Sequence, residues 1–234
     1  MKNVSQKGGI ALEISKSMTK EERIRIAAEK VFSLYGYEKA TLDEIIALAD
    51  VGKGTVYKYF GNKEKLFYKL IEDKNEPFVE ALKAAVADKS SLEEKLLAYF
   101  RVMVDFYSEN APLWQIIFFE MLSGGNGCIV QYVDGQPVVR SRYSSNVIPE
   151  NVKELTIRYH MLLMSEINIL KNIMQDGMEQ GILKQGNLEI SCKYLFFGVA
   201  MSLFSPYKPI KERMSTDEVA NIIVDRFLHG EQVK

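Results

Sequence analysis

Lys53, Thr55, Tyr57 and Lys58 are the residues in this chain whose types and spacing point to chemistry. They lie in KGTVYKYF, where Val56 and Phe60 at i and i+4 define a buried face and leave the other four outward on about two turns of helix. Lysine supplies charge to phosphates, Thr and Tyr hydroxyls reach phosphates or base edges, and Gly54 lets backbone approach a duplex closely. A Lys-rich run taken alone is more often a solvated face. Catalytic readings fare worse. GKGT at 52–55 approaches a phosphate-binding loop, but that motif requires Gly at 47 and Ser or Thr at 54, where Ala47 and Gly54 stand. Neither G-x-S-x-G nor H-E-x-x-H occurs, and the two histidines, His160 and His229, are far apart in the chain. His160, on an otherwise apolar face, reads as a hydrogen-bonded core or pocket residue before a metal ligand. No enzyme activity, cofactor or metal is expected.

The elements that position those residues are local. Leu42, Ile45, Ile46 and Ala49 share one helical face, and Thr41 with Glu44 forms a T-x-x-E capping box. Asp50, Gly52 and Gly54 stop that helix, the glycines by about 1 kcal/mol each relative to Ala. Two short helices about a tight turn make a helix-turn-helix, whose second helix enters the DNA major groove. Thr19 and Glu22 box an earlier helix carrying Ile24, Ala27, Ala28, Val31, Phe32 and Tyr35 on one stripe and ending at Gly36, which gives the pair something to pack against. Asn62 caps a fourth helix over Lys63 to about Ala87, with Leu66, Phe67, Leu70 and Ile71 in its first turns. Its positive N-terminus, with Lys63 and free amides, predicts a phosphate contact.

VGKGTVYKYFGNKEKL resembles the TetR family of bacterial transcription regulators, whose recognition helix reads G-V-S-K-G-T-L-Y-x-Y-F followed by a Lys opening the next helix. The resemblance covers Ile24 to Leu70, and the remainder only in helical layout. It implies phosphate contacts for Thr41, Tyr59 and Lys63, groove contacts for Lys53, Thr55 and Tyr57, either for Lys58, and close backbone approach at Gly54. It also implies an all-α dimer that binds a pseudo-palindromic double-stranded operator, as a repressor released by a small, largely apolar ligand. An activator, or a dimeric DNA-binding protein with no effector, is the rival; against the latter, about 150 residues of body exceed what dimerisation requires.

Charge and composition agree. Residues 1–70 carry 13 Lys and Arg against 9 Asp and Glu, leaving 17 against 22 for the rest, so the net charge of −1 divides into a basic head and an acidic body. Between Val51 and Leu66 stand Lys53, Lys58, Lys63 and Lys65 against Glu64 alone. A hydrophobic content of 47% is ordinary for a globular chain. Cys128 and Cys192 are too few for a disulfide framework, no run of about 18 apolar residues could span a membrane, and residues 1–17 lack the core of a signal peptide, which together predict a cytoplasmic protein. The expected organisation is a loose arm over 1–18, with Lys2, Lys7 and Lys16 in it, a helix-turn-helix domain over 19–62 and an effector-binding and dimerisation domain over 63–234.

Within the body, Ser91 and Glu94 open a fifth helix ending near Asn110, and Leu113–Leu122 form a sixth with the single Trp. SGGNG at 123–127 is expected to break the chain, and IVQYV-DG-QPVVR to form a β-hairpin near 129–140, or a loop, with Pro137 confining the second run to an edge. This insertion departs from the family's all-helical pattern. Pro149 opens a long helix to about Gln180, broken near its end by Gly177 and Gly181; Asn187 caps one over Leu188–Phe204 ended by Pro206; Ser215 and Glu218 box the last. Ser191, Leu195, Gly198 and Ser202 share a small-residue face that allows close helix approach, and the resemblance implies a four-helix dimer interface there. By the same resemblance Phe106, Tyr107, Trp114, Phe118, Tyr159, His160 and Met164 are the expected ligand-site residues, with the fourth helix as the link from pocket to head.

Overall fold

The computed structural model describes residues 14–142, 147–204 and 214–230, and for 120–127 the backbone alone. Most of the expected arm, and Pro206, lie outside the described residues. Nine helices and one two-stranded sheet are described, in two compact units that divide between Asp73 and Lys74.

The first unit is built on helices α1 (Lys20–Lys39), α2 (Leu42–Ala49) and α3 (Lys53–Phe60) and the start of α4 (Lys63–Ala87). Both expected capping boxes form: the Glu22 amide donates to Thr19 and the Glu44 amide to Thr41, each at 3.2 Å, while each glutamate accepts the cap residue's own N–H. Regular α geometry in α1 ends at Gly36, whose φ of 73° only glycine adopts readily. Asp50 at φ 52° closes α2 and gives the turn its sharpness. Ile24, Ala27, Ala28, Phe32, Ile45, Ala49, Val56, Leu66 and Phe67 form the core. Phe67 stands edge-on to Phe32 at 4.9 Å and tilted to Tyr37 at 5.1 Å, and Asp73 pairs with Arg25 at 2.5 Å and Lys69 at 3.1 Å. These contacts tie the opening turns of α4 to the head, so the units part inside the helix and not at the 62/63 line between motifs. Pro77 lies just beyond, and without an N–H it gives the Asp73 carbonyl no helical partner.

The second unit holds the rest of α4, α5 (Leu92–Glu109), α6 (Ala111–Gly127), β1 (Cys128–Val133), β2 (Gln136–Ser141), α7 (Glu150–Glu179), α8 (Leu188–Leu203) and α9 (Thr216–His229). Helix α5 packs against α7, α8 and α9, and α7 against α8. The hairpin forms in the expected register. Asp134 and Gly135, with φ of 50° and 76°, make the primed two-residue turn that matches strand twist, and pairing runs from Val133–Gln136 back to Cys128–Ser141 with Pro137 opposite Tyr132. Two expectations need correction. SGGNG does not break the chain: α6 starts at Ala111 and continues through it to Gly127, where β1 follows directly, because helix propensity is a weak prior that tertiary context overrides. Gly177 does not break α7 either. A side chain there would meet Leu92 at 2.9 Å and Leu183 at 3.1 Å, so the glycine serves close packing, and the chain turns at Gly181, φ 71°. Among the described residues no helix is long and apolar enough to cross a membrane.

Candidate functional site

On the head, Val56 and Phe60 are buried, and that anchoring turns the opposite side of α3 to solvent. Lys53, Gly54, Lys58, Tyr57 and Tyr59 are exposed, the two tyrosines at 45% and 47%, and Thr55 is half-buried. Lys53 reaches Asp43 at 3.5 Å, but both side chains are largely solvated, so the pair is weak, roughly 0–1 kcal/mol, and readily exchanged for a phosphate. Thr41 is exposed at the α2 N-terminus, its hydroxyl donating to Glu44 at 2.8 Å. An open depression of about 350 Å³ beside the turn is lined by Lys20, Ile46, Ala47, Asp50, Val51 and Gly52.

Lys63 is engaged within the head. Its ammonium donates to the carbonyls of Tyr37 at 2.9 Å, Ala40 at 3.2 Å and Glu38 at 3.4 Å, and lies 4.5 Å from the centre of the Tyr37 ring. Three donors directed at the carbonyl-rich end of α1 use the full capacity of an ammonium. A phosphate contact from Lys63 would have to displace those bonds. The motif alone could not separate the two roles, since both need a Lys at the same place.

In the body, four of the seven expected ligand-site residues come together. Phe106 stacks on Phe78 at 3.8 Å and meets Trp114 edge-on at 4.6 Å; Tyr107 touches Trp114, Phe118 and Phe204, and Phe118 touches Phe204 at 5.2 Å. Tyr107, Trp114 and Phe118 are fully buried, while Phe106 reaches partway to solvent. Tyr159 is buried and Met164 half-buried on α7. His160 meets the hairpin instead: its Nε2 lies 3.3 Å from the Tyr132 hydroxyl, and burial, helped by Lys193, holds its pKa below the usual histidine value.

The residue missed by sequence reasoning is Glu166. It is fully buried on α7, takes a short hydrogen bond from the Tyr107 hydroxyl, and its own carbonyl accepts from Tyr99 at 3.2 Å. Burial pushes its carboxyl up to about 8, against the opposing hydrogen bonds from Tyr107 and Trp114, and the same burial drives both tyrosines well above their ordinary range. Its position carried a signal: Glu166 falls three residues after Leu163 and four before Leu170, inside the apolar stripe of its helix.

The α8 residues expected at a dimer interface differ in exposure. Leu195 is 8% exposed, whereas Ile190 at 65%, Tyr194 at 81% and Met201 at 40% form an uncovered apolar stripe. Gly198 falls among them, with nothing within 4 Å of where a Cβ would sit, and Ser202 is exposed while Ser191 is half-buried.

With this geometry in hand, comparison with known proteins gives three results. The family model described as bacterial regulatory proteins, tetR family, matches residues 24–70. Among curated relatives, the fatty acid metabolism regulator protein of Bacillus subtilis is 22% identical over 205 residues, spanning 87% of this chain and 91% of its own. The uncharacterized HTH-type regulator YhgD of the same organism is 28% identical over 127 residues, 50% of this chain and 66% of its own, and the HTH-type repressor NicS of Pseudomonas putida is 31% identical over 104, or 44% and 49%. Among solved structures, FadR from Bacillus subtilis in complex with stearoyl-CoA aligns at TM-score 0.66 and 20% identity over 90% of this chain and 99% of that one. PfmR from Thermus thermophilus aligns at 0.67 and 19%, over 90% and 100%. At such identities the structural likeness speaks for the fold.

Proposed function

Because this chain belongs to the TetR family of bacterial transcription regulators, a DNA-binding family, we propose that it is a cytoplasmic repressor that binds a pseudo-palindromic operator as a homodimer and leaves it on binding a small, largely apolar effector. The observation that carries this reading is the exposed face of α3: Lys53, Gly54, Thr55, Tyr57 and Lys58 on one side of a helix pinned by Val56 and Phe60. In this reading Lys53, Thr55 and Tyr57 work in the major groove, Lys58 in the groove or on the backbone, and Thr41, Tyr59 and the first amides of α4 on phosphates, with Lys63 holding that helix start in place. Two copies meet through the α8 stripe of Ile190, Tyr194, Gly198 and Met201, which sets two heads on a twofold axis. An effector with a long apolar part is supported by the aromatic core of Phe106, Tyr107, Trp114 and Phe118, and by the fatty-acid regulator and the stearoyl-CoA complex among the relatives.

Ligand affects DNA only if the two states it distinguishes differ at the head, and α4 is the element common to both units. A coupling of about 1–3 kcal/mol, or 5- to 150-fold, suffices. The direct test is footprinting upstream of the protein's own gene with wild type and a Lys53, Tyr57, Lys58 triple alanine variant, alongside light scattering of Gly198→Arg. Loss of protection in the first and of the dimer in the second is expected; an unchanged footprint from the triple variant would sink the assignment of α3.

A further inference from the structure

The two buried polar side chains of the body, among the described residues, are Asn75 on α4 and Glu166 on α7, 5% and 0% exposed. Each leaves one oxygen without a partner: Oδ1 of Asn75 and Oε1 of Glu166. The Asn75 amide nitrogen is 3.5 Å from Ser165, the residue before Glu166, and the Ser165 hydroxyl is committed to the Leu162 carbonyl at 2.6 Å. Thus Asn75 Oδ1 lacks a donor, and Glu166 Oε1 lacks an acceptor while its carboxyl is protonated and a donor once it is ionised. Beside Glu166 stand Tyr107 and Trp114, whose rings pack with those of Phe78 and Phe106, and no buried Lys or Arg of the body, among the described residues, offers a counter-charge. A buried polar atom with no partner is costly, and native structures rarely keep two on neighbouring helices without a purpose.

We propose that Asn75 and Glu166 form the polar end of an effector site that takes a protonated amine carrying an apolar tail. The ammonium hydrogens satisfy Glu166 Oε1 and Asn75 Oδ1, the aromatic faces stabilise the cation, and Phe106, which reaches solvent, is the ring a ligand displaces on entry. This rests on the reading of the body as an effector domain and adds the chemical class of ligand. Binding is linked to one proton. Empty and buried, Glu166 is a carboxylic acid up to about pH 8; on binding, its proton leaves to solvent and the carboxylate pairs with the ammonium. The other groups around it do not compete across pH 7–9. Tyr99 and Tyr107 of α5 and Cys192 of α8 are held un-ionised, α6 presents Trp114, α4 presents Asn75, and His160 on α7 titrates below this window.

The test is calorimetry of the full-length protein with n-octylammonium, octanol and octanoate, which share one tail length. Wild type should prefer octylammonium at least tenfold over both, and its affinity should rise about tenfold in all between pH 7 and 9, about fivefold of it below pH 8, where the amine is still protonated. Glu166→Gln should abolish both the preference and the pH slope; the slope in wild type stands as an independent reading should that variant not fold. Octanol or octanoate binding as tightly as octylammonium, or no octylammonium binding at pH 9, would overturn the proposal. Parallel anisotropy with operator DNA separates the two readings. Octylammonium bound without DNA release leaves this site standing and removes induction, whereas release by octanol or octanoate with no amine preference does the reverse.

Discussion

Head and body solve opposite problems with similar helices. The head buries aliphatic and aromatic groups and leaves the side chains proposed to meet DNA outside: α3 turns Val56 and Phe60 to the core and keeps Lys53, Tyr57 and Lys58 in water. The body buries the very groups that could do chemistry, with Tyr107, Trp114 and Glu166 fully enclosed. A surface reader can therefore lose a functional side chain without losing its fold, while the enclosed cluster is structure and candidate site at once.

The sharpest test of that contrast sets Trp114→Ala against Tyr57→Ala. Trp114 is 1% exposed and packs against Phe106 and Tyr107, so its truncation should lower stability by about 3–5 kcal/mol in urea unfolding followed by circular dichroism. Tyr57→Ala should stay within about 0.5 kcal/mol of wild type and yet weaken and blur operator recognition by roughly 1–3 kcal/mol. Comparable destabilisation by both would mean that α3 is part of the core and the comparison is false.

Next in size is the response to pH. Glu166 has its folded carboxyl raised above the ordinary 4.5 to about 8, so its contribution to stability is fully present below pH 4.5 and is lost as pH rises through 8. The loss should be on the order of 3 kcal/mol between pH 5 and 9. The capping carboxylates act in the other direction: Glu22, Glu94 and Glu218 are lowered by hydrogen bonds from the cap residues, so their support is present above pH 4.5 and lost on acidification. Unfolding of wild type and Glu166→Gln at pH 5, 7 and 9 checks this, and a variant with the same alkaline decline as wild type would show that another group drives it.

How much of each region could be read from the sequence follows from the same contrast. The head was legible almost to the residue, because capping boxes, Asp50 and the spacing of Val56 and Phe60 are local signals that act within a few positions. The Asp-Gly hairpin was legible for the same reason. What failed depended on more than local preference: Gly177 packs on Leu92, distant in sequence, and α6 runs through Gly124 and Gly125 to Gly127 although glycine disfavours helix. The Tyr107–Glu166 pair joins residues 59 positions apart, and only the misplaced charge in the α7 stripe announced it.

Lys63 and Lys58 provide the finest test, because the motif treats both as DNA-facing and the structure treats them differently. Lys58 is exposed on α3, so Lys58→Ala should lower the salt slope of operator binding by about one unit and leave unfolding unchanged. Lys63 instead neutralises the carbonyl end of α1 through Tyr37, Glu38 and Ala40, a C-terminal cation worth about 1 kcal/mol. Lys63→Met keeps much of the stem's packing and removes the charge. It should cost the head about 1 kcal/mol and weaken all DNA sequences alike, through a less well held α4 start, without changing the salt slope. If Lys63→Met instead reduced the slope by one and left stability intact, its ammonium would turn from α1 to a phosphate on binding, and the head would hold one structural cation fewer than its free form indicates.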